Sequence, residues 1–387
     1  MGFLGLIGFG GGATSLAVGG APTAFEATGG VKYGPAPNNK IYHIFENSTP
    51  GPTSNFVVSG VGPYTMEVFM IGGGGAGGDQ HGGGGGAGAL FYQPDFPMPK
   101  GTFTVSVGAG GAADKTQTTG GSGGNTSLGT LVVCNGGGGG GSMGVDGANG
   151  GCGGGGGMRP VNPGPHPNRQ PGGEGTGVPT HPGSPYVHAY DGGTGSDYSD
   201  PQAGSGGIGG GGGGAGGLGS STPDDTPHRG PWPAPTSPVA SSMVRGQGGN
   251  DWSAPDALFP SDVRTGMGAA MGTPTLWLGC AYPMPTTAIM MFAGGGAGAS
   301  HTPWGIFNET GWNAPNPVNP GDWGGGSGIP TLSGWGMGGI GGEGNNDIGR
   351  NGSNFRGGGG GGSGDAAEEA GRGGSGICII VYPDSTS

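Results

Sequence analysis

Glycine fills 110 of the 387 positions, and it comes in blocks such as Gly153–Gly157 and Gly357–Gly362. A collagen triple helix needs glycine at every third place with other residues between, so these blocks exclude it. With 35 prolines, 31% hydrophobic and 9% charged residues, the usual expectation would be disorder. Ordering glycine costs more backbone entropy than ordering any other residue. The blocks can therefore order only if nearly every amide and carbonyl finds a partner and some anchored element gathers them.

One geometry meets both demands. The polyproline-II conformation has three residues per turn, a rise of about 3.1 Å and no internal hydrogen bonds, so every peptide group points outward. Rods without side chains can approach one another on all sides and exchange N–H···O and weaker Cα–H···O bonds. The glycine-dominated stretches 72–78, 82–88, 136–141, 206–219, 294–298, 324–328 and 357–364 are the candidates for such rods.

The anchor is a set of apolar, β-branched and aromatic runs bounded by Gly, Pro or Asn. They read as strands at Ile41–Phe45, Asn55–Ser59, Tyr64–Ile71, Leu90–Tyr92, Thr102–Val107, Leu128–Cys134 and Ile377–Tyr382, with weaker runs at Thr275–Leu278 and Ala288–Phe292. Thr102–Val107 alternates, which places one face in a core and the other in water. No window supports a long amphipathic helix, and Ala366–Ala370 is at most one turn. The expected fold class is all-β: a small antiparallel β-sandwich fused to a bundle of polyglycine-II helices, with long ordered loops and essentially no α-helix. Residues 1–40 read as an arm, and 41–135 with 375–383 as the sandwich. Residues 72–88, 136–157, 206–219, 294–298, 324–342 and 357–374 form the bundle, and 158–335 an insert around it.

The net charge is −12 and the four lysines are scattered, so there is no electrostatic footprint for nucleic acid. Cys134, Cys152, Cys280 and Cys378 lack paired metal-ligand spacing and read as small buried residues of a chain made in a reducing cytosol. The apolar start Met1–Phe9 has no preceding Lys or Arg, unlike a secretory signal, and is too short and glycine-rich to span a bilayer. Phe3, Leu4, Leu6, Ile7 and Phe9 instead suit an attachment arm, and no membrane insertion is expected.

At this glycine content chance alone yields roughly eight G-x-G-x-x-G matches, so none signals a nucleotide site. Gly120-Gly121-Ser122-Gly123-Gly124 fits a nucleophile elbow but does not join an apolar strand to a helix. Gly192–Asp197 and Gly341–Ile348 approximate calcium nonapeptides, yet calcium β-rolls need tandem copies. His181, His188, Asp191 and Asp197 read as surface polar residues before they read as metal ligands. No catalytic residue, metal or cofactor is expected, and the chain does not read as an enzyme.

The region 158–335 has another texture, rich in Pro, Asp, Ser, Thr and Asn, and all seven tryptophans fall between Trp232 and Trp335. Aromatic faces bind sugars or enter partner pockets, but they also cover loop bases. Trp232, Trp252, Trp304 and Trp312 are the candidates for receptor contact.

The pattern resembles the glycine-rich domain proteins of tailed bacteriophages, which are tail fibres and adhesins. The resemblance rests on Gly29-Gly30, on His43-Ile44-Phe45, and on Thr65–Ile71 running into Gly72–Gly75. It continues through Gly82–Gly86, Phe103–Gly111, Leu131–Asn135 leading into Gly136–Gly141, and the closing Gly373–Tyr382. It implies a virion protein assembled in the host cytoplasm and joined to other virion proteins through its arm. It also implies a homotrimer and contact with a host surface glycan or outer-membrane protein. Other readings are an architectural head fibre, capsid decoration or neck appendage, an ice-binding protein, or an extracellular matrix protein. An ice-binding face would need a regular Thr/Ser/Ala lattice, against which the irregular spacing argues.

Overall fold

The computed structural model describes residues 25–46, 53–60, 64–113, 118–159, 170–196, 209–219, 221, 248, 252–253, 262–263, 291–299, 349–354, 356–364 and 369–384. The chain is all-β there, and only residues 262–263 are helical among the described residues.

One sheet has five antiparallel strands in the order β1 (Glu26–Thr28), β4 (Thr53–Ser59), β7 (Gly101–Ser106), β8 (Thr126–Leu128) and β9 (Val132–Cys134). The second has six: β10 (Val187–His188), β6 (Leu90–Met98), β5 (Tyr64–Ile71), β13 (Ile377–Pro383), β3 (Lys40–Glu46) and β2 (Val31–Tyr33). A separate pair joins β11 (Trp252–Ser253) to β12 (Met291–Phe292).

Phe56, Val58, Val105, Leu128 and Val132 of the first sheet meet Met66, Val68, Phe91, Cys378 and Ile380 of the second in one core. The unbroken run Ile377–Tyr382 is explained by burial on both faces. Cys378, Ile380 and Tyr382 enter that core, while Ile377, Ile379 and Val381 enter a second one with Phe69, Leu90, Val263 and Phe292.

The sandwich is larger than the sequence suggests. β1 and β2 lie inside the residues read as an arm, and β10 inside those read as an insert. Leu128–Cys134 is not one strand but the heart of a hairpin. Gly129 sits at φ 52 and the Leu131 N–H donates to the Leu128 carbonyl at 3.0 Å, which turns the chain between β8 and β9. β6 runs on past Tyr92 despite Pro94 because the pairing with β5 slips between Met66 and Val68, leaving the proline in a bulge where no ladder donor is needed.

The strands continue straight into the glycine blocks. Ile71 and Leu90 form the last β5–β6 sheet pair. Beyond it Gly72, Gly75 and Gly78 donate to the carbonyls of Ala89, Gly86 and Gly83 at 3.0, 2.8 and 2.9 Å. The register is unchanged, but the step between bonds is now three residues, the repeat of polyproline-II geometry. β13 and β5 behave alike: after Ile377↔Ile71, Gly74 and Gly77 donate to Gly374 and Gly371. So do β7 and β8, with Gly124 and Gly121 donating to Ala109 and Ala112. After Thr126↔Cys134 of β8 and β9, Gly123 and Gly120 donate to Gly137 and Gly140.

Rod 72–78 is surrounded. Its amides serve rods 82–89, 121–124 and 371–374 in turn, and its carbonyls accept from Gly137 and Gly140, from Gly360 and Ser363, and from Gly111. Six neighbours with threefold alternation make hexagonal packing. Gly137 and Gly140 prolong β9 of one sheet, while rod 72–78 prolongs β5 of the other. Side chains hold facing sheets about 10 Å apart. Once the side chains end, the same chains bond directly.

Glycine is demanded by this closeness and hardly at all by backbone angle. A Cβ on Gly75 would sit 2.1 Å from the Gly138 carbonyl oxygen, one on Gly85 2.2 Å from that of Gly75, and one on Gly139 1.7 Å from that of Gly120. Gly357 is an exception, at φ 65 where its rod begins beside Ile71. Side chains return where a rod meets the second core, as with Ala87, Cys152, Ala215 and Ala293. At the bundle's flank they return as acceptors for amides that lack a neighbouring rod. Asn351 Oδ1 accepts from the Arg372 N–H at 2.8 Å, Asn149 Oδ1 from Glu174 at 2.7 Å, and Asn125 Oδ1 from Gly136 at 2.9 Å.

Candidate functional site

The rods give the molecule two poles. At the sandwich pole Phe25 packs on Tyr64 and Tyr382, with ring centroids 4.2 and 4.9 Å away, and the Asp384 N–H donates to the Asn39 carbonyl at 2.9 Å. Tyr64 opens β5 and Tyr382 lies near the end of β13, so this pole is the edge farthest from the rods. The chain before Phe25 joins here. Phe3, Leu4, Leu6, Ile7 and Phe9 lie outside the described residues.

At the opposite pole rod 72–78 turns back through Asp79, Gln80 and His81, the last two at φ 49 and 54. The buried Ser142 hydroxyl stands between the Asp79 carboxylate and the Thr118 carbonyl and accepts the Asp79 N–H at 3.2 Å, so one serine ties three rods together. Further bonds at this pole run from Met158 N–H to the His81 carbonyl, from Arg159 to Ser196, from Ala299 to Gly82, and from Gly209 to Ala299. Thr118, Met158, Arg159, Ser196, Gly209 and Ala299 are thus gathered at the end opposite the sandwich.

That end is the candidate functional surface, since Trp304 and Trp312 follow Ala299 in the sequence. Both tryptophans, and Trp232, lie outside the described residues. Trp252 differs in position: its backbone pairs with Phe292, whose ring meets Phe69 of the sandwich at 4.7 Å.

Other sequence candidates have local tasks. Ser122 of the apparent nucleophile elbow lies within a rod, with no helix after it. Asp191 Oδ1 accepts the Gly175 N–H at 2.7 Å. His181 lies against Phe91 at 4.9 Å with Nδ1 3.0 Å from Thr180 Oγ1, and His188 sits in β10. Burial pushes both imidazoles below the ordinary histidine range. No group of three metal-binding side chains occurs among the described residues, and Asp197 is not one of them. Cys134, Cys152 and Cys378 are buried free thiols, and burial pushes Cys152 up to about 12.

His43 interrupts the otherwise apolar and aromatic run Ile41–Phe45. It is fully buried, with Nδ1 2.6 Å from the Gly29 carbonyl oxygen and Nε2 3.0 Å from the Tyr382 hydroxyl. The Gly29-Gly30 and His-x-Phe elements are thus in direct contact.

The order of strand, rod and returning rod from β4 onward is the part that matches a known family. Residues 49–230 match the glycine-rich domain family. The match covers a little under half of the chain and leaves out β13, the strand that completes the second sheet between β5 and β3. The sheet within the matched segment is therefore completed by chain from outside it. No curated protein matches the sequence.

Proposed function

We propose that this chain is a structural protein of a tailed-phage virion, a tail fibre or adhesin. In this reading the N-terminal arm joins it to other virion proteins, and the far end of the bundle meets a host surface glycan or outer-membrane protein. The observation that supports it is the separation of the poles. Phe25 packs at one end, Ala299 is bonded at the other, and rods of about 20 Å stand between them at ~3.1 Å per residue. Rods bonded on every side make a stiff spacer, and inserts carried on such a scaffold suit recognition. Trp232, Trp252, Trp304 and Trp312 are the candidates for the contact, and Trp304 and Trp312, which follow Ala299 in the sequence, are the first to test.

Host cells preincubated with saturating purified protein should lose phage adsorption, and Trp304→Ala with Trp312→Ala should weaken that block. Unchanged adsorption, with antibody labelling confined to capsid or neck, would replace the adhesin reading with an architectural one.

A further inference from the structure

We infer that His43 is an acid-sensitive latch holding the β1–β2 segment on the sandwich. The Gly29 carbonyl can only accept a hydrogen bond, so Nδ1 must carry the ring proton. Nε2 is then an acceptor, and the Tyr382 hydroxyl donates to it. A single neutral tautomer satisfies all three groups. The ring is also stacked on Tyr382 at 5.6 Å and set edge-on to Phe56 at 5.3 Å, so it joins β3, β13, β4 and the turn between β1 and β2.

Phe25 and Ala27 pack on the sandwich ahead of that turn, and Gly29 and Gly30 lie close against β4 and β3. β1 pairs with β4 over three residues at the edge of one sheet, and β2 pairs with β3 over three residues at the edge of the other. Gly29 and Gly30, at φ 118 and 61, carry the chain between the sheets, and the His43 bond fixes the crossing.

A second ring proton would point at a hydroxyl now set to donate and would place a cation between Phe56 and Tyr382. The charged and titratable groups around it give no relief. Lys32 is its cross-strand neighbour on β2 and adds repulsion. β3 also carries Lys40, Tyr42 and Glu46, β2 carries Tyr33, β5 carries Tyr64 and Glu67, the latter paired with Lys40, β13 carries Cys378, whose thiol burial pushes up, and β4 has no titratable residue. Glu26 on β1 and Asp384 beyond β13 act on Tyr382, whose hydroxyl burial pushes up to about 12. No carboxylate bonds the ring.

Burial holds the His43 imidazole below its ordinary value of 6.5. The opened segment, with His43 in water, binds a proton more readily than the closed one. Closure is therefore fully supported above the ordinary value and is lost as pH falls from there toward the depressed value.

The test is amide hydrogen exchange of residues 26–33 in the full chain between pH 7.5 and 5, corrected for intrinsic rates. Protection in the natural protein should fall as pH drops below the ordinary histidine value, by no more than tenfold per pH unit for one linked proton, and level off at the depressed value. His43→Gln can donate to Gly29 and accept from Tyr382 without titrating, and it should remove that slope. Equal slopes in the two proteins, or none in either, would overturn the latch. Tyr382→Phe guards against a His43→Gln chain that fails to fold. Loss of the donor to Nε2 should move the midpoint to higher pH, whereas a merely structural role would lower protection equally at every pH and leave the midpoint in place.

Discussion

The sandwich and the bundle are built from the same chains in the same register, yet they meet opposite demands. In the sandwich, side chains such as Phe56, Met70 and Ile380 fill the gap between sheets, and backbone pairs only within each sheet. In the bundle nothing fills the gap. Gly73 and Gly137, which extend strands of different sheets, bond directly at 2.8 Å. Hydrophobic burial stabilises the first region, and hydrogen bonding in all lateral directions holds the second. Each such bond contributes only about 0.5–1.5 kcal/mol net, which is why the rods need strands that have already paid for their alignment. The lesson is that adding one carbon matters more in the bundle, and removing one matters more in the sandwich.

The largest effect should come from Gly75→Ala. The new Cβ would lie 2.1 Å from a backbone oxygen on a rod held by its own bonds, so neither neighbour can yield. The cost should exceed the ~1–3 kcal/mol of ordinary overpacking, and amides of 72–78 and 135–141 should lose exchange protection while β4 and β7 keep theirs. Ile380→Ala should come next, at about 2–5 kcal/mol by chemical denaturation, with Ile380→Val nearer 0.5–1.5 kcal/mol. A graded series of this kind in the sandwich, set against an all-or-none response at Gly75, would sharpen the contrast, and a mild Gly75→Ala would break it. Asn351→Ala should be the smallest, about 1 kcal/mol. It removes one acceptor at the bundle's flank, and exchange at the Arg372 amide should rise alone.

The two regions were also unequally legible. β5 is readable to the residue because Tyr64–Ile71 is apolar and sharply bounded, and β3, β4, β7 and β13 are readable to within a residue or two at either end. β1 and β2 escape notice because Glu-Ala-Thr and Val-Lys-Tyr are only three residues long, too short for their alternation to stand out. The rods are readable as rods, but which block pairs with which is not. Glycine has no side chain to mark a face, so partners are assigned by the strands that lead into them. Among the site residues, His43 is visible as a polar interruption of Ile41–Phe45, but its bond to Gly29 depends on a crossing between sheets that no local pattern announces. The tryptophans stand out by their clustering alone.

Unbroken register from sheet to rod also gives the molecule a natural unit of growth. Three residues added to each arm of a hairpin, as to 72–78 and 82–89 together, would lengthen the shaft by about 9 Å and bring every amide back to its former direction. One or two would rotate the added stretch away from its partners. Related chains of different reach should thus differ in their glycine tracts by multiples of three, with the hydrophobic foundation left as it is.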